Sequence, residues 1–354
     1  MIVKNEEAVV GRCLDCVKDI VDEIIIVDTG STDKTVEIAS KYTDKIHRFK
    51  WIGDFAAARN FSFSKATKEY VMWLDADDYL TEENQKKLSE LKRTLAPDAD
   101  TVMCMYDYSF DKEGRPAYSF NRERIMRRCD RAVWRGIVHE VVSEFGKVVY
   151  SDFTVSHGRE HIANPTRNIE IYENAIKNGR ELGRRDRFYY ARELCSAQRW
   201  ADAIESFGLF LANGGGWVED NIRACKSIGR CHNALGNPDA ALSSFFDSFA
   251  YDAPRPEICC EIGAIFMGKG RLRQAAYWYG AAIANSALLA GRPKPEFMIP
   301  DCHGYTPAIQ LCVCHDRLGD YAKAYECNEI AGKFKPDDPA YLHNKEYLEK
   351  LLNK

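Results

Sequence analysis

The sequence lacks a dominant charge sign, a long apolar run and an apolar leader. Its 354 residues hold 49 Lys+Arg and 53 Asp+Glu, a net charge of −4, which gives no basic surface for nucleic acid. No apolar run approaches the roughly 20 residues that a membrane-spanning helix needs. The first residues include Lys4, Glu6 and Glu7, so we expect no signal peptide there. Nucleic-acid binding and a transmembrane segment are therefore not predicted.

The thirteen cysteines do not form a pattern typical of disulfides or zinc. Their number is odd in a long chain, which argues against a disulfide framework. Cys13 and Cys16 form a CxxC, but no second CxxC completes a zinc site. Their spacing with Val9 and Ile20 is helical, so the thiols are predicted to pack as small apolar groups. A reducing, cytoplasmic compartment fits this pattern.

The first part of the chain alternates strand and helix signals. Branched apolar runs at residues 23–28 and 70–74 are typical of strands buried on both faces. Shorter strands are expected over 1–4, 46–49 and 101–108, and helices over 7–21, 33–42, 55–66 and 82–95, the last capped by Thr81. This order predicts an α/β, Rossmann-like domain with a mostly parallel sheet over residues 1–164. Ligands of such sheets bind at the carboxyl ends of the strands.

After residue 164 the strand signals vanish and a repeat appears. Gly236 is followed by Ala241 and Phe245, and Gly270 by Ala275 and Tyr279, at the same offsets and 34 residues apart. Small residues that let paired helices approach, with an aromatic in the groove, resemble degenerate tetratricopeptide repeats. We therefore expect an all-α repeat domain over 165–354 that binds an acceptor or mediates dimerisation.

The segment Asp28-Thr29-Gly30-Ser31 has two interpretations. It matches the signature of aspartic proteases, whose chemistry needs two carboxylates that share a proton. A second such segment is absent, so only a homodimer could supply the partner, and the following residues favour a helix. The neighbouring motifs favour the other interpretation.

Four motifs in fixed order carry a resemblance to a known family. They are Ile2-Val3-Lys4-Asn5-Glu6, Ile25-Ile26-Val27-Asp28-Thr29-Gly30-Ser31-Thr32-Asp33, Ala58-Arg59-Asn60 and Trp73-Leu74-Asp75-Ala76-Asp77-Asp78. Together they resemble the nucleotide-binding half of glycosyltransferase family 2 enzymes with the GT-A fold. With the repeats, the chain is similar to bacterial glycosyltransferases that modify peptide or protein side chains, including cysteine S-glycosyltransferases.

Asp75 and Asp77, two acidic residues with one residue between them at a strand end, can hold a divalent ion with open coordination positions. Hard oxygen ligands suit Mg²⁺ or Mn²⁺, and such an ion can bridge the phosphates of a diphosphate leaving group. The resemblance implies that Asp77 binds the metal directly, that Asp75 reaches the ribose or the metal through water, and that His157 closes the metal site. A helix-capping acidic turn is the alternative for this segment.

The resemblance also implies a pocket for the nucleotide of the donor. Asp28 would hold the uracil or ribose, and Arg59 would lie against the base or a phosphate. The other residues expected around the donor are Val3, Asn5, Glu6 and Ala76. Many family members have two adjacent acids where this chain has Asp28-Thr29, so Thr29 weakens the case for uridine, although a UDP-sugar remains the expected donor.

A later cluster of residues is expected near the reaction centre. An inverting transfer needs a general base that removes the acceptor proton, and relatives place a Gly-x-x-His-Glu segment there. Glu140 is the candidate base, with His139 orienting it or the acceptor. Arg127 or Arg135 could stabilise the diphosphate. The alternative for Glu140 is an ordinary ion pair with these nearby arginines.

The predicted function is a metal-dependent inverting glycosyltransferase. Its donor would be a nucleotide sugar, and its acceptor a peptide, a protein or a glycan. The alternative is a non-catalytic interaction protein with tetratricopeptide repeats and a degenerate GT-A domain. The intact Asp75, Asp77, Glu140 and His157 argue against that alternative.

Overall fold

The computed structural model describes residues 1–158, 164–289 and 298–353. The chain divides into two compact units, Met1–Tyr189 and Tyr190–Lys354. Within the described residues, no helix is both long and apolar enough to cross a membrane. All thirteen cysteines are free thiols, and Cys13, Cys312 and Cys314 are buried.

In the described part of the first unit, ten strands form three sheets. They are β1 (Ile2–Val3), β2 (Ile26–Asp28), β3 (Ile46–Arg48), β4 (Tyr70–Met72), β5 (Asp78–Tyr79), β6 (Thr101–Phe110), β7 (Pro116–Arg127), β8 (Trp134–Arg135), β9 (Val141–Val142) and β10 (Val148–His157). The first sheet is parallel in the order β1-β2-β3, and the second has the order β4-β7-β6-β10-β5. Strands β8 and β9 form an antiparallel pair.

The expectation of a mostly parallel sheet holds for the first three strands only. In the five-stranded sheet, β6 and β10 are parallel, whereas β4-β7, β6-β7 and β10-β5 are antiparallel. The reason is a tight connection, in which Asp111 N donates to Arg115 O and turns β6 directly into β7. A hairpin can join only antiparallel strands. The sheet system is therefore mixed.

Helices α1 (Val10–Asp15), α2 (Thr35–Ala39), α3 (Phe55–Lys65) and α4 (Glu82–Thr94) separate the early strands. The predicted α3 and α4 are confirmed, and the Thr81 side chain accepts a hydrogen bond from Asn84 N, as expected of an N-cap. Helices α1 and α2 are shorter than predicted. Buried apolar residues on both sides of the large sheet, such as Leu88, Val102 and Phe153, form its core.

The first unit extends beyond the predicted boundary at residue 164. Helix α5 (Arg167–Lys177) and the start of α6 (Arg184–Ser196) belong to it. The buried Tyr172 hydroxyl donates to Val138 O, and Arg180 pairs with Asp54 at 2.6 Å. These polar contacts join α5 to the sheet domain, although its helical sequence resembles that of the repeats.

The second unit is helical throughout its described residues. Its helices are the end of α6, α7 (Trp200–Ala212), α8 (Val218–Ala234), α9 (Pro238–Asp247), α10 (Pro256–Gly268), α11 (Leu272–Leu289), α12 (Tyr305–Arg317), α13 (Tyr321–Phe334) and α14 (Pro339–Leu352). From α7 onward, each packs against the next in sequence.

Close helix pairs in the second unit depend on glycine. A Cβ on Gly229 would lie 2.4 Å from the Phe245 ring, and one on Gly263 would lie 2.9 Å from the Tyr279 ring. The small-residue and aromatic pattern of the sequence thus corresponds to real helix contacts, as a tetratricopeptide-like array requires.

Candidate active site

A cavity of about 660 Å³ opens in the first unit where the strands end. It gathers nine of the predicted site residues. They are Val3, Glu6, Arg59, Asp75, Ala76, Asp77, His139, Glu140 and His157. Residues more than 130 positions apart in sequence therefore line one space.

The acidic turn after β4 is held by its own backbone. Asp78 N donates to Asp75 O at 3.1 Å, and Asp75 N donates to the Asp78 carboxylate at 3.0 Å. Strand β5 begins at Asp78 and pairs with the end of β10, so Asp77 is brought beside His157. Gly158 N donates to Asp77 O at 2.8 Å and closes the arrangement.

Asp77 and His157 form a pair that faces the cavity. His157 Nδ1 lies 3.6 Å from Asp77 Oδ1, and the Tyr108 ring stacks on the imidazole with centroids 5.3 Å apart. Burial raises the pKa of Asp77, and the charges of Asp75 and Asp78 add to this effect, while His157 opposes it. Negative charge is thus concentrated at this end of the cavity, where a cation would relieve it.

The residues present fit a divalent cation. Asp77, Asp78 and His157 each offer one ligand atom, and these atoms lie within 4.8 Å of one another. His157 Nδ1 is buried without a hydrogen-bond partner, which is costly unless another group occupies that direction. Carboxylate oxygens with one imidazole nitrogen are suitable ligands for such an ion.

Asp78 differs from Asp77 because its carboxylate is already fully engaged. It is completely buried, pairs with Arg124 at 2.8 Å and accepts a hydrogen bond from the Tyr106 hydroxyl at 2.9 Å. Burial would raise its pKa, but the Arg124 guanidinium together with the hydrogen bonds from Asp75 N and the Tyr106 hydroxyl outweighs burial and lowers the pKa. Asp78 therefore supports the turn from below, and Asp77 is the acid exposed to the cavity.

Sequence reasoning did not identify the supporting role of Arg124. Its guanidinium is fully buried between the rings of Trp73 and Tyr106, 3.9 and 4.3 Å from their centroids. The available signal in the sequence was the position of Arg124 directly before the apolar Ile125 and Met126 of a strand. An arginine there is expected to be buried, and a buried charge needs a partner. The identity of that partner depends on the register of β7 against β4 and β6.

Arg59 joins two further acids of the cavity, Asp75 and Glu140. Its Nη2 donates to Asp75 at 2.7 Å and its Nε donates to Glu140 at 2.6 Å. The guanidinium also lies 5.0 and 4.8 Å from the centroids of Trp73 and Trp134. Burial would lower its pKa, but the two carboxylates outweigh burial and raise it. The arginine is thus a fixed positive charge at the bottom of the site.

Glu140 forms the ion pair that the sequence left open, but with Arg59 and not with Arg127 or Arg135. Its side chain is 10% exposed. The preceding His139 has a positive φ of 54° and stacks on Tyr189 with centroids 4.6 Å apart. Such a backbone angle is rare outside glycine and persists only where the surroundings impose it.

Arg127 and Arg135 do not line the cavity. Arg127 lies at the far end of β7, where its guanidinium contacts Glu69, Tyr70, Asp100 and backbone carbonyls. Arg135 is exposed on β8. The arginines that line the cavity are Arg59 and Arg167, so we propose no diphosphate role for Arg127 or Arg135.

Asn5 and Asp28 organise the loop beside the cavity and do not line it. Asn5 Oδ1 accepts a hydrogen bond from Thr32 N, and Asp28 Oδ1 accepts one from Ser31 N. Thr29 does reach the cavity, but its hydroxyl donates to Val3 O. The side chains of Asn5, Asp28 and Thr29 thus hold the backbone of the first two motifs in place beside the cavity.

One wall of the cavity was missed because it comes from α5. Its polar residues there are Arg167, Asn168, Glu170 and Asn174, beside the buried Ile171. Trp51 and Phe55, which are in edge contact at 4.7 Å, continue this wall. The sequence pattern correctly predicted a helix at α5, but the helix was expected to belong to the repeat domain and not to the first unit.

The first 146 residues match a family model, "Glycosyl transferase family 2". Over residues 1–146 the chain is therefore similar to this family. The expected GT-A fold thus holds for the first unit, with its mixed sheet, and the second unit is the predicted helical array. The whole cavity except the α5 wall and His157 lies inside the matched residues.

Similar proteins include a glycosyltransferase and, separately, proteins with tetratricopeptide repeats. The chain is 30% identical over 221 residues to the SPbeta prophage-derived glycosyltransferase SunS of Bacillus subtilis, which covers 58% of this chain and 50% of that protein. It is 46% identical over 80 residues to a TPR repeat-containing protein of Synechococcus elongatus, covering 23% of this chain and 20% of that one. The crystal structure of YrrB, a TPR protein, aligns with 16% identity and a TM-score of 0.38 over 51% of this chain and 84% of that one. The chain spans half the length of SunS, the longer of the two sequence matches.

Proposed function

We propose that this chain is a metal-dependent, inverting glycosyltransferase that transfers a sugar from a nucleotide sugar to an acceptor. The observation that carries the proposal is the cavity of the family 2 domain. It combines an Asp77–His157 pair suited to a cation with an Arg59 that bridges Asp75 and Glu140. A degenerate, non-catalytic domain would have no reason to keep these charged groups around one opening.

Asp77 and His157 are the proposed metal-binding residues, and Asp78 supports them from the buried side. A bound Mn²⁺ or Mg²⁺ would supply positive charge that offsets the diphosphate of the donor. The unpartnered Nδ1 of His157 and the raised pKa of Asp77 support this assignment.

The nucleotide is proposed to lie along Val3, Glu6, Arg59 and Asp75. Arg59 fixes the direction of the Asp75 carboxylate, which leaves that acid oriented toward the ribose or a metal-bound water. A UDP-sugar stays the proposed donor. Because the Thr29 hydroxyl already donates to Val3 O, we propose that backbone groups near Val3, and not the Thr29 side chain, recognise the base.

Glu140 is the proposed general base. The hydrogen bond from Arg59 Nε, at 2.6 Å, holds the carboxylate in position. As the acceptor atom attacks the anomeric carbon, its proton would pass to Glu140, and the bond from that carbon to the diphosphate would break to release the nucleoside diphosphate. His139 lies beside it at the exposed edge and would orient the acceptor.

The acceptor is proposed to be a peptide or protein side chain, bound by the helical repeats. Support comes from the relatives that are named a glycosyltransferase and a TPR repeat-containing protein, and from the extended surfaces that helical repeats provide. Dimerisation through the repeats is a second proposed role of this unit, which sedimentation of the full chain would test.

A donor panel tests the proposal. The full chain should hydrolyse or transfer at least one nucleotide sugar in the presence of Mn²⁺, and Asp77→Ala should lose this activity. Asp130→Ala, an exposed acid away from the cavity, is the matched control. If no donor is turned over and no donor nucleotide with Mn²⁺ raises the melting temperature, the proposed function is refuted.

The acceptor class needs a separate experiment. The full chain, its donor and a labelled sugar would be applied to arrays of peptides and of oligosaccharides. We expect the label on peptides. Labelling of oligosaccharides alone would contradict the peptide acceptor while leaving glycosyl transfer itself intact.

A further inference from the structure

We propose that residues 167–189, which follow the family-matched segment, complete the active site, and that Asp186 and Tyr172 are positioning residues for Glu140 and His139. This inference deepens the proposed function and rests on it. Its starting point is the loop of residues 136–140, which carries both proposed catalytic side chains and is held chiefly from that later segment.

The loop is held at successive backbone groups. Ile137 N donates to Asp186 Oδ1 at 2.9 Å, and Val138 O accepts a hydrogen bond from the Tyr172 hydroxyl at 3.2 Å. His139 O accepts from the Arg185 guanidinium at 3.1 Å. Three consecutive residues before Glu140 are therefore bonded to side chains of α5 and α6.

Both positioning residues are buried, so their contacts are specific. Tyr172 is fully buried and Asp186 is 8% exposed. Gly136 passes so close to Asp186 that an added Cβ would lie 3.3 Å from its carboxylate oxygen. A buried carboxylate loses hydration, and a backbone N–H donor is one of the groups that can replace it. Asp186 thus fits a role in fixing the loop.

The loop needs external support because its backbone is strained. Gly136 has a φ of 98° and His139 one of 54°, both in the left-handed region. On the opposite side of the loop, Phe55 N donates to Ile137 O and Arg59 Nε donates to Glu140. A shift of about 1 Å in a catalytic group can cost roughly 100-fold in rate. Loss of the α5–α6 contacts should therefore affect catalysis more than donor binding.

The Asp77–His157 pair and Glu140 are positioned by different elements, which makes the two roles separable. The metal pair is fixed by β5, β10 and Arg124, whereas the base is fixed by α5 and α6. A variant that loosens only the base should retain metal-dependent donor binding. This separation provides a readout that general destabilisation would not produce.

The test compares Asp186→Ala with Asp186→Asn in the full chain. The alanine removes the acceptor of Ile137 N–H, whereas the asparagine keeps a carbonyl oxygen in the same place. We expect Asp186→Ala to lower kcat of sugar transfer by about 10- to 100-fold with donor KM within about threefold. Asp186→Asn should restore most of kcat. Tyr172→Phe, which keeps the ring, should lower kcat by a smaller factor.

A second readout is independent of activity. Amide hydrogen exchange at residues 137–140 should accelerate in Asp186→Ala and stay slow in Asp186→Asn. Lys177→Ala, on the exposed side of α5, is the control and should change neither readout.

The outcomes separate the two proposals. Equal kcat and equal exchange in Asp186→Ala and wild type would overturn the positioning role. So would a loss of kcat in Asp186→Ala that Asp186→Asn does not restore. A wild-type chain that turns over no donor refutes the proposed function, and the exchange comparison then still decides whether Asp186 holds the loop. If Asp186→Ala does not fold, kcat and amide exchange at residues 137–140 are measured in Tyr172→Phe instead. A lower kcat with faster exchange would support the positioning role, and no change in either would overturn it.

Discussion

The two units differ in the kinds of side chain that they bury. Around the cavity of the first unit, Arg59, Arg124 and Asp78 are buried charges joined in ion pairs. In the second unit, the close contacts are between glycines and aromatic rings, as at Gly229 with Phe245. Charge networks are sensitive to the loss of a partner, whereas helix packing is sensitive to volume. The two units should therefore fail for different reasons.

The largest expected effect concerns the base. Glu140→Gln keeps the shape of the side chain but cannot accept the acceptor proton, so kcat of transfer should fall by about 10²- to 10⁴-fold. Donor binding should be retained, because Asp77 and His157 are untouched. Steady-state kinetics measures both, with the exposed Glu144→Gln as control. Normal transfer by Glu140→Gln would place the base elsewhere.

Next in size is the buried pair below the acidic turn. Arg124→Met leaves the Asp78 carboxylate buried without its cation, which should cost about 3–5 kcal/mol of unfolding free energy in the first unit. Denaturant unfolding measures the change, with Arg128→Met on the exposed end of the same region as control. Adding Asp78→Asn to Arg124→Met should recover part of the loss. A loss below about 1 kcal/mol would show that the pair is not essential to this unit.

A volume change should affect the second unit only. Gly229→Ala places a Cβ 2.4 Å from the Phe245 ring, so we expect a loss of about 1–3 kcal/mol from overpacking. Gly208→Ala is the matched control, because its Cβ meets no atom within 4 Å and helix propensity favours alanine by about 0.5–1 kcal/mol. Donor hydrolysis should be unchanged in both variants. Equal stabilities would contradict the close helix approach.

The smallest effect is a pH-dependent ion pair far from the cavity. The Glu23 carboxylate accepts hydrogen bonds from Lys45, Thr67 N and the Thr67 hydroxyl. Burial would raise the pKa of Glu23, but these bonds together outweigh burial. They hold the pKa at about 2, below the ordinary value of 4.5. A depressed carboxyl pKa stabilises the fold above pH 4.5 and loses that effect as the pH falls toward 2. Glu23→Gln should thus be less stable than wild type by about 1–2 kcal/mol at pH 7.

The measurement for Glu23 is unfolding free energy of both proteins from pH 7 down to pH 3. The difference between them should shrink steadily below about pH 4.5. A difference that is constant over this range would mean that the carboxylate charge does not contribute.

Sequence patterns predicted most of the strands and helices whose formation depends on residues close together in the chain. The apolar strands, α3 and the capped α4 follow from hydrophobic period and end residues, and the repeat follows from its 34-residue spacing. The hairpin of β6 and β7 was missed because β7 alternates polar and apolar residues only in part, and its pairing is decided by a turn. Short α1 and α2 reflect loop bonds, such as Thr32 N to Asn5, that compete with helix extension.

The candidate site was predictable where its residues belong to the sequence motifs. Asp75, Asp77 and Arg59 could be placed from the motifs, and the structure brings them to one cavity. The partner of Glu140, the support by Arg124 and the wall from α5 depend on contacts between segments distant in sequence, which no local pattern encodes. Asp186 illustrates this limit, since nothing in its helical surroundings indicates a bond to Ile137 N.

The central claim is that one cavity binds a donor diphosphate through a cation held by Asp77 and His157. Isothermal titration of the full chain with UDP, with and without Mn²⁺, tests it most directly. The account predicts binding that requires Mn²⁺ in wild type and is lost in Asp77→Ala but kept in Asp130→Ala. Binding of UDP with equal affinity without the metal, or in Asp77→Ala with it, would contradict the account.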